Sequence, residues 1–167
     1  NDVSALHYNL GGLSKLNATD AVFTHLDWLE DTNLEYFGIA QPLFGGVVGG
    51  SLTYFHVPMF SRYDNWGATE GNLSLSDLAT TFAYARQIGG FGLGAGLKFV
   101  TRKVSDFGIA AFCFDVGMQK QIPDFTIPLG GKKLVVSGLM TGASIQNVGY
   151  SSENSLPLNI KVGISYL

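Results

Sequence analysis

Between Phe91 and Arg102 apolar and small or polar residues alternate. Phe91, Leu93, Ala95, Leu97 and Phe99 take the odd positions, and Gly92, Gly94, Gly96, Lys98, Val100 and Arg102 the even ones. A period of two predicts a strand with two unlike faces. The segment 158–167 repeats it, with Ile160, Val162, Ile164 and Tyr166 against Asn159, Lys161, Gly163 and Ser165. So does 107–119, where Phe112, Phe114, Val116 and Met118 oppose Cys113, Asp115, Gly117 and Gln119. In 46–57, Val48, Gly50, Leu52, Tyr54 and His56 oppose Gly49, Ser51, Thr53 and Phe55. The pattern predicts eight strands, over 20–29, 33–43, 46–57, 74–87, 91–103, 107–119, 132–146 and 158–167. Most reach the roughly 9–11 residues that a tilted transmembrane strand needs, well above the globular mean of about 5–6.

One stretch invites a different reading. Gly90-x-Gly92-x-x-Ala95 fits the dinucleotide pattern G-x-G-x-x-G/A. A phosphate loop follows a strand and opens a helix. Here the glycines lie inside the alternation and no helical period follows, which favours the strand. Glycines along one strand face let another group approach the backbone. The opposite, apolar face requires a core or lipid.

The connections predict a topology. "LFGG" and "QIGG" read as tight turns, and "MFSRYDNWGATEGN" (59–72) and "NVGYSSENSLP" (147–157) as long polar loops. Outer-membrane barrels join short periplasmic turns to longer outer loops. With the N-terminus inside, the second and fourth connections are expected short and the third and seventh long, as they are. The sixth, "KQIPDFTIPLGG", is long where that rule asks for a short one, and "KVSD" is short where a longer loop is permitted.

Composition narrows the class. A chain of 167 residues suffices for one domain with a sizeable core. Only 14% of residues are charged and 46% are hydrophobic, against about 25% charged in soluble domains. The longest stretch without a formal charge, Tyr36 to Ser61, could span a bilayer by length. It contains Gly38, Gly45, Gly46, Gly49, Gly50, Pro42 and Pro58, which oppose a helix. Entry into a membrane is therefore expected through strands. A net charge of −3, with ten Lys plus Arg and no basic cluster, argues against nucleic-acid binding. The single cysteine, Cys113, excludes an internal disulfide. His7, His25 and His56 lie apart without ligand spacing, and no nucleophile elbow occurs. No catalytic residue, cofactor or metal is expected. Asp27, Glu30, Asp31 and Glu35 read as a solvated loop around the first turn. The start at Asn1, without an apolar leader, predicts either a removed signal peptide or a fragment.

"NDVSALHYNLGGLSKL" resembles the N-terminal segment of the FadL-like outer-membrane proteins, the long-chain fatty acid transporters. It is closest to the PorV/PorQ group and uncharacterised spirochaete paralogues. These carry the form D-A-x-A-x-x-x-N-P-A-G-L before the first strand. Asp2, Ala5, Asn9, Gly12 and Leu13 match it, and Leu10 and Gly11 replace Pro-Ala. "HLDWLEDTNLEYFGIAQPL", "SDLATTFAYARQIGGFGLGAGLKFV" and "NVGYSSENSLPLNIKVGISYL" extend the resemblance over nearly the whole chain.

The resemblance implies an all-β, antiparallel transmembrane barrel in the bacterial outer membrane. About eight strands of a fourteen-stranded barrel would be present, as part of a longer protein, a frameshifted paralogue or a small barrel. Residues 1–18 would form a hatch centred on Asn9, Leu10, Gly11, Gly12 and Leu13, and 19–167 the barrel. The implied function is passage of long-chain fatty acids or similar hydrophobic molecules, without enzymatic chemistry. Outer-membrane lipid would surround the barrel. The alternative is a non-transport barrel, a PorV-type secretion-system shuttle or a structural element. Lys98 and Arg102, on the glycine face with Gly92, Gly94 and Gly96, would line the lumen. They would meet a ligand carboxylate or pair with acidic residues across the lumen.

Overall fold

The computed structural model describes residues 2–130, 132–152 and 157–166. Among the described residues ten strands form: β1 (Asp20–Asp27), β2 (Asn33–Leu43), β3 (Gly46–Tyr63), β4 (Thr69–Ile88), β5 (Phe91–Val104), β6 (Phe107–Gln121), β7 (Phe125–Leu129), β8 (Lys132–Val136), β9 (Leu139–Ser151) and β10 (Asn159–Tyr166). Eight make one antiparallel sheet in the order β1-β2-β3-β4-β5-β6-β9-β10, and β7 and β8 pair separately. The chain is all-β, as the alternation predicts.

Turn chemistry fixes the registers. Leu43 pairs with Gly46 and Ile88 with Phe91, so each of these hairpins closes through two residues. Phe44, Gly45, Gly89 and Gly90 all have positive φ there. Two-residue turns of this hand match the right-handed strand twist.

Four segments depart from the sequence expectations, the first being the loop 147–157, whose residues 147–151 continue β9. The long loop 59–72 shrinks, because β3 runs past Pro58 to Tyr63 and β4 starts at Thr69. The register shifts between Val57 and Phe60, and this irregularity accommodates the missing proline donor. The single strand 132–146 is two strands, broken at Gly138, whose φ is +74°. The long sixth connection is not a loop but contains the β7–β8 hairpin.

The sheet is open. Among the described residues β1 pairs only with β2 and β10 only with β9, so the eight strands do not close into a barrel. The inner face is occupied. An N-terminal segment, with a helical turn at Ala5–Tyr8 (α1) and a 3-10 stretch at Leu10–Lys15, packs there. A closed eight-stranded barrel has room inside only for its own side chains. Val3, Leu6, Leu10 and Leu13 are buried against Ala40, Val47, Ala83 and Ala85, which makes the core. Leu10 and Leu13 are three residues apart in the 3-10 stretch and share one of its faces, and Leu6 reaches the same core from the preceding helical turn.

Candidate functional site

The inner face is cut to fit the N-terminal segment. Asn9 is extended, and its Oδ1 accepts from the Gly11 N–H at 3.0 Å, which starts the 3-10 stretch. Asn9 Nδ2 donates to the Met118 carbonyl on β6 at 2.9 Å. Gly92, Gly94 and Gly96 lie under Gly11 and Leu10. A Cβ at Gly92 would come within 2.6 Å of the Gly11 carbonyl oxygen, and one at Gly96 within 2.8 Å of Leu10 Cδ1. A Cβ at Gly94 would strike the Leu10 carbonyl itself. Gly117 and Gly142 leave the same clearance for Asn9 and Leu10. Asn9, Leu10, Gly11, Gly12 and Leu13, the residues expected to form a hatch, pack with the three β5 glycines as one unit.

Polar side chains anchor the segment. Ser144 Oγ donates to the Tyr8 carbonyl at 3.2 Å and Gln146 Nε2 to the His7 carbonyl at 3.0 Å. The Val3 N–H donates to Asp20 at 2.9 Å. His7 stands edge-on to Tyr8 and Tyr36. Burial holds its imidazole pKa below the ordinary value; Lys161 and Lys98 push the same way, and Asp115 opposes them.

Lys98 and Arg102 sit on the inner face beyond the segment, and both carry carboxylate partners. Lys98 Nζ lies 2.5 Å from Asp115, whose side chain is 0% exposed. The Asn147 N–H donates to the other Asp115 oxygen at 2.7 Å, and Lys98 also donates to Asn147 Oδ1 at 3.1 Å. Arg102 makes a two-pronged pair with Asp77 at 2.8 and 2.6 Å. Asp77 is its direct neighbour on β4, and Asp115 lies on β6, adjacent to β5. The partners therefore come from neighbouring strands rather than from across a lumen. Arg102 lies six residues from Gly96, about 20 Å along the strand, and does not join the glycine cluster.

Sequence reasoning missed Asp115, Asn147, Ser144, Gln146 and Lys161. Asp115 shared the predicted inward face, which was the available signal. The other partners depend on which strand neighbours β6, and the β7–β8 hairpin conceals that. A cavity of about 410 Å³ opens beside the N-terminal segment along β9 and β10, with Tyr8, Asn9, Gly142 and Lys161 on its walls. Among the described residues, no three His, Cys, Asp or Glu side chains assemble as a metal site.

The outer face is different in kind. Leu93, Leu97 and Phe99 on β5, Phe82 and Tyr84 on β4, and Phe114, Val116 and Met118 on β6 are all exposed. On β3 to β6 charged side chains stand only near the ends of this face, and on β1 and β2 the His25–Glu35 pair lies one row further in. His56, Ser76 and Lys103 share one row, and Arg86 stands near the other end. Between Ser76 and Arg86 the outer positions of β4 are Leu78, Thr80, Phe82 and Tyr84. Ten residues at about 3.4 Å each make this stretch about 34 Å long measured along the strand.

No protein-family model, curated protein or solved structure matches the chain.

Proposed function

We propose that this chain forms the wall of an outer-membrane β-barrel whose N-terminal segment plugs the lumen, and that it passes long-chain fatty acids or similar hydrophobic molecules. The carrying observation is the outer band of β3 to β6 without charged side chains, which at the roughly 40° tilt of outer-membrane strands would stand about 26 Å tall, against the roughly 25 Å apolar band of those barrels. Soluble monomers rarely expose contiguous apolar patches of more than a few hundred Å². Lipid is the solvent that such a face suits. The free edges of β1 and β10 suit pairing with further strands, because exposed edges otherwise invite aggregation. The buried leucines of the segment support its reading as a plug, whose removal would open the inner face to a hydrophobic solute.

A second reading is a non-transport barrel, a secretion-system shuttle or structural element. One observation favours it: Lys98 and Arg102 are already paired with Asp115 and Asp77. A fatty-acid carboxylate would have to displace an internal partner to reach either cation.

The test is to fold the protein into phosphatidylcholine vesicles, follow its circular dichroism, and titrate a fluorescent long-chain fatty acid. Strand-rich signal with vesicle flotation and saturable displacement by unlabelled fatty acid is the expected result. A monodisperse, detergent-free monomer would end the membrane reading. Insertion without any fatty-acid binding would shift the assignment to the shuttle or structural barrel.

A further inference from the structure

The outer face is not uniformly bulky. Ala95 lies between Tyr84 and Val116 in one cross-strand row, and Ala143 lies beside Met118 in the next. These two small side chains leave a depression of about 720 Å³ with almost wholly apolar walls. Arg86 borders it. Lys120 stands one outer position beyond Met118, its Nζ held 4.3 Å from the centre of the Phe91 ring. The two cations are two strands and two residues apart, about 10 Å across the sheet and about 7 Å along it. Both long side chains reach a common point over that span. Neither makes an ion pair among the described residues.

We infer that this depression holds an acyl chain of an anionic phospholipid, with the phosphate between Arg86 and Lys120. The inference rests on the membrane reading and adds a lipid site to it. The groove fits a flexible hydrocarbon chain better than a flat wall does, because alanine floors let the chain contact atoms on three sides. A net negative headgroup matches two unpaired cations, whereas a zwitterionic headgroup brings its own positive charge. The position suits a headgroup too. The cations lie near the Gly89–Gly90 turn, where the uncharged band ends.

Native mass spectrometry on the whole protein tests this, in detergent micelles holding equal phosphatidylglycerol and phosphatidylcholine of identical acyl chains. Near a membrane surface each cation contributes about a fivefold preference for anionic lipid, so roughly thirtyfold for the pair. Wild type should retain phosphatidylglycerol by about that margin. The double variant Arg86→Gln, Lys120→Gln should lose the margin. Ala95→Leu should reduce retention of both lipids by filling the floor. Lys103→Gln, at the far end of the same face, should change nothing. Equal retention of the two lipids by wild type, or an undiminished margin in the double variant, overturns the inference and leaves the membrane reading standing. Failure to fold in micelles or vesicles removes both.

Discussion

Replacing Gly94 with alanine adds one methyl group where there is no room for it. The new Cβ would meet the Leu10 carbonyl and lie 2.7 Å from Leu10 Cβ. Those are not the far ends of flexible side chains, so no rotamer change relieves the overlap. Two responses compete. Expelling the segment forfeits burial of Val3, Leu6, Leu10 and Leu13, all 0–2% exposed, at about 1.5–3 kcal/mol each. Keeping it seated under strain costs about 1–3 kcal/mol, the usual range for overpacking. The smaller cost wins, and contact with backbone places it near the top of that range, about 2–3 kcal/mol. Hydrogen exchange reads this at the Leu6, Gly12 and Leu16 amides, which bond to Val3, Asn9 and Leu13. Their protection should fall roughly 30- to 150-fold. Gly108 and Gly163 provide controls, since a Cβ at either meets nothing within 4 Å. Alanine there should stabilise by about 0.4–1 kcal/mol through the unfolded chain. Wild-type protection in Gly94→Ala, or an equal loss in Gly108→Ala, would refute the seating described for the segment.

Leu97 lies mid-band on the outer face, and Leu97→Arg should weaken folding into vesicles by about 2–4 kcal/mol. Lys103→Arg, at the rim, should be nearly neutral in the same urea titration. Asp115→Ala should cost about 3–5 kcal/mol by stranding Lys98 without its partner. The double variant Asp115→Leu, Lys98→Met should recover much of that loss in the same measurement. His7 supplies a pH dependence. Its folded pKa lies below the ordinary 6.5, so the unfolded segment takes up a proton first as pH falls. Seating is therefore fully stable above about 6.5 and weakens as pH drops through that value toward the folded pKa. Proteolytic protection of residues 2–16 should be lower at acid pH than at neutral pH in wild type, and His7→Gln should flatten that difference.

The outer alternation made the strands legible, because a period of two needs no knowledge of neighbours. β2, β5 and β6 emerge nearly as read. The glycines of β5 were legible as a place of close approach, and the N-terminal segment now occupies it. Boundaries failed where one local signal pulled against the pattern. Pro58 suggested an end, yet an irregular register carries β3 past it. Gly138 sat inside an apparently continuous strand and breaks it. The ion pairs were half legible. Lys98 and Arg102 were placed on the correct face, but their partners follow from strand order, which residue spacing does not encode. The seating of Leu6, Leu10 and Leu13 was not legible, because the extended Asn9 divides them between two short helical turns and no single period marks them as one face.

The β7–β8 hairpin has a consequence for how this architecture tolerates change. Gln121 pairs with Met140, and the Ile122 N–H bonds to the Leu139 carbonyl. The ends of β6 and β9 therefore already stand at the separation that a tight turn closes. Everything between them is a self-paired module attached at one point of the meander, with its own register from Phe125–Val136 to Leu129–Lys132. Insertions of this kind are added, exchanged or lost without disturbing the scaffold that bears them. A tight turn put in place of the hairpin would leave the eight-stranded sheet and its seated N-terminal segment intact.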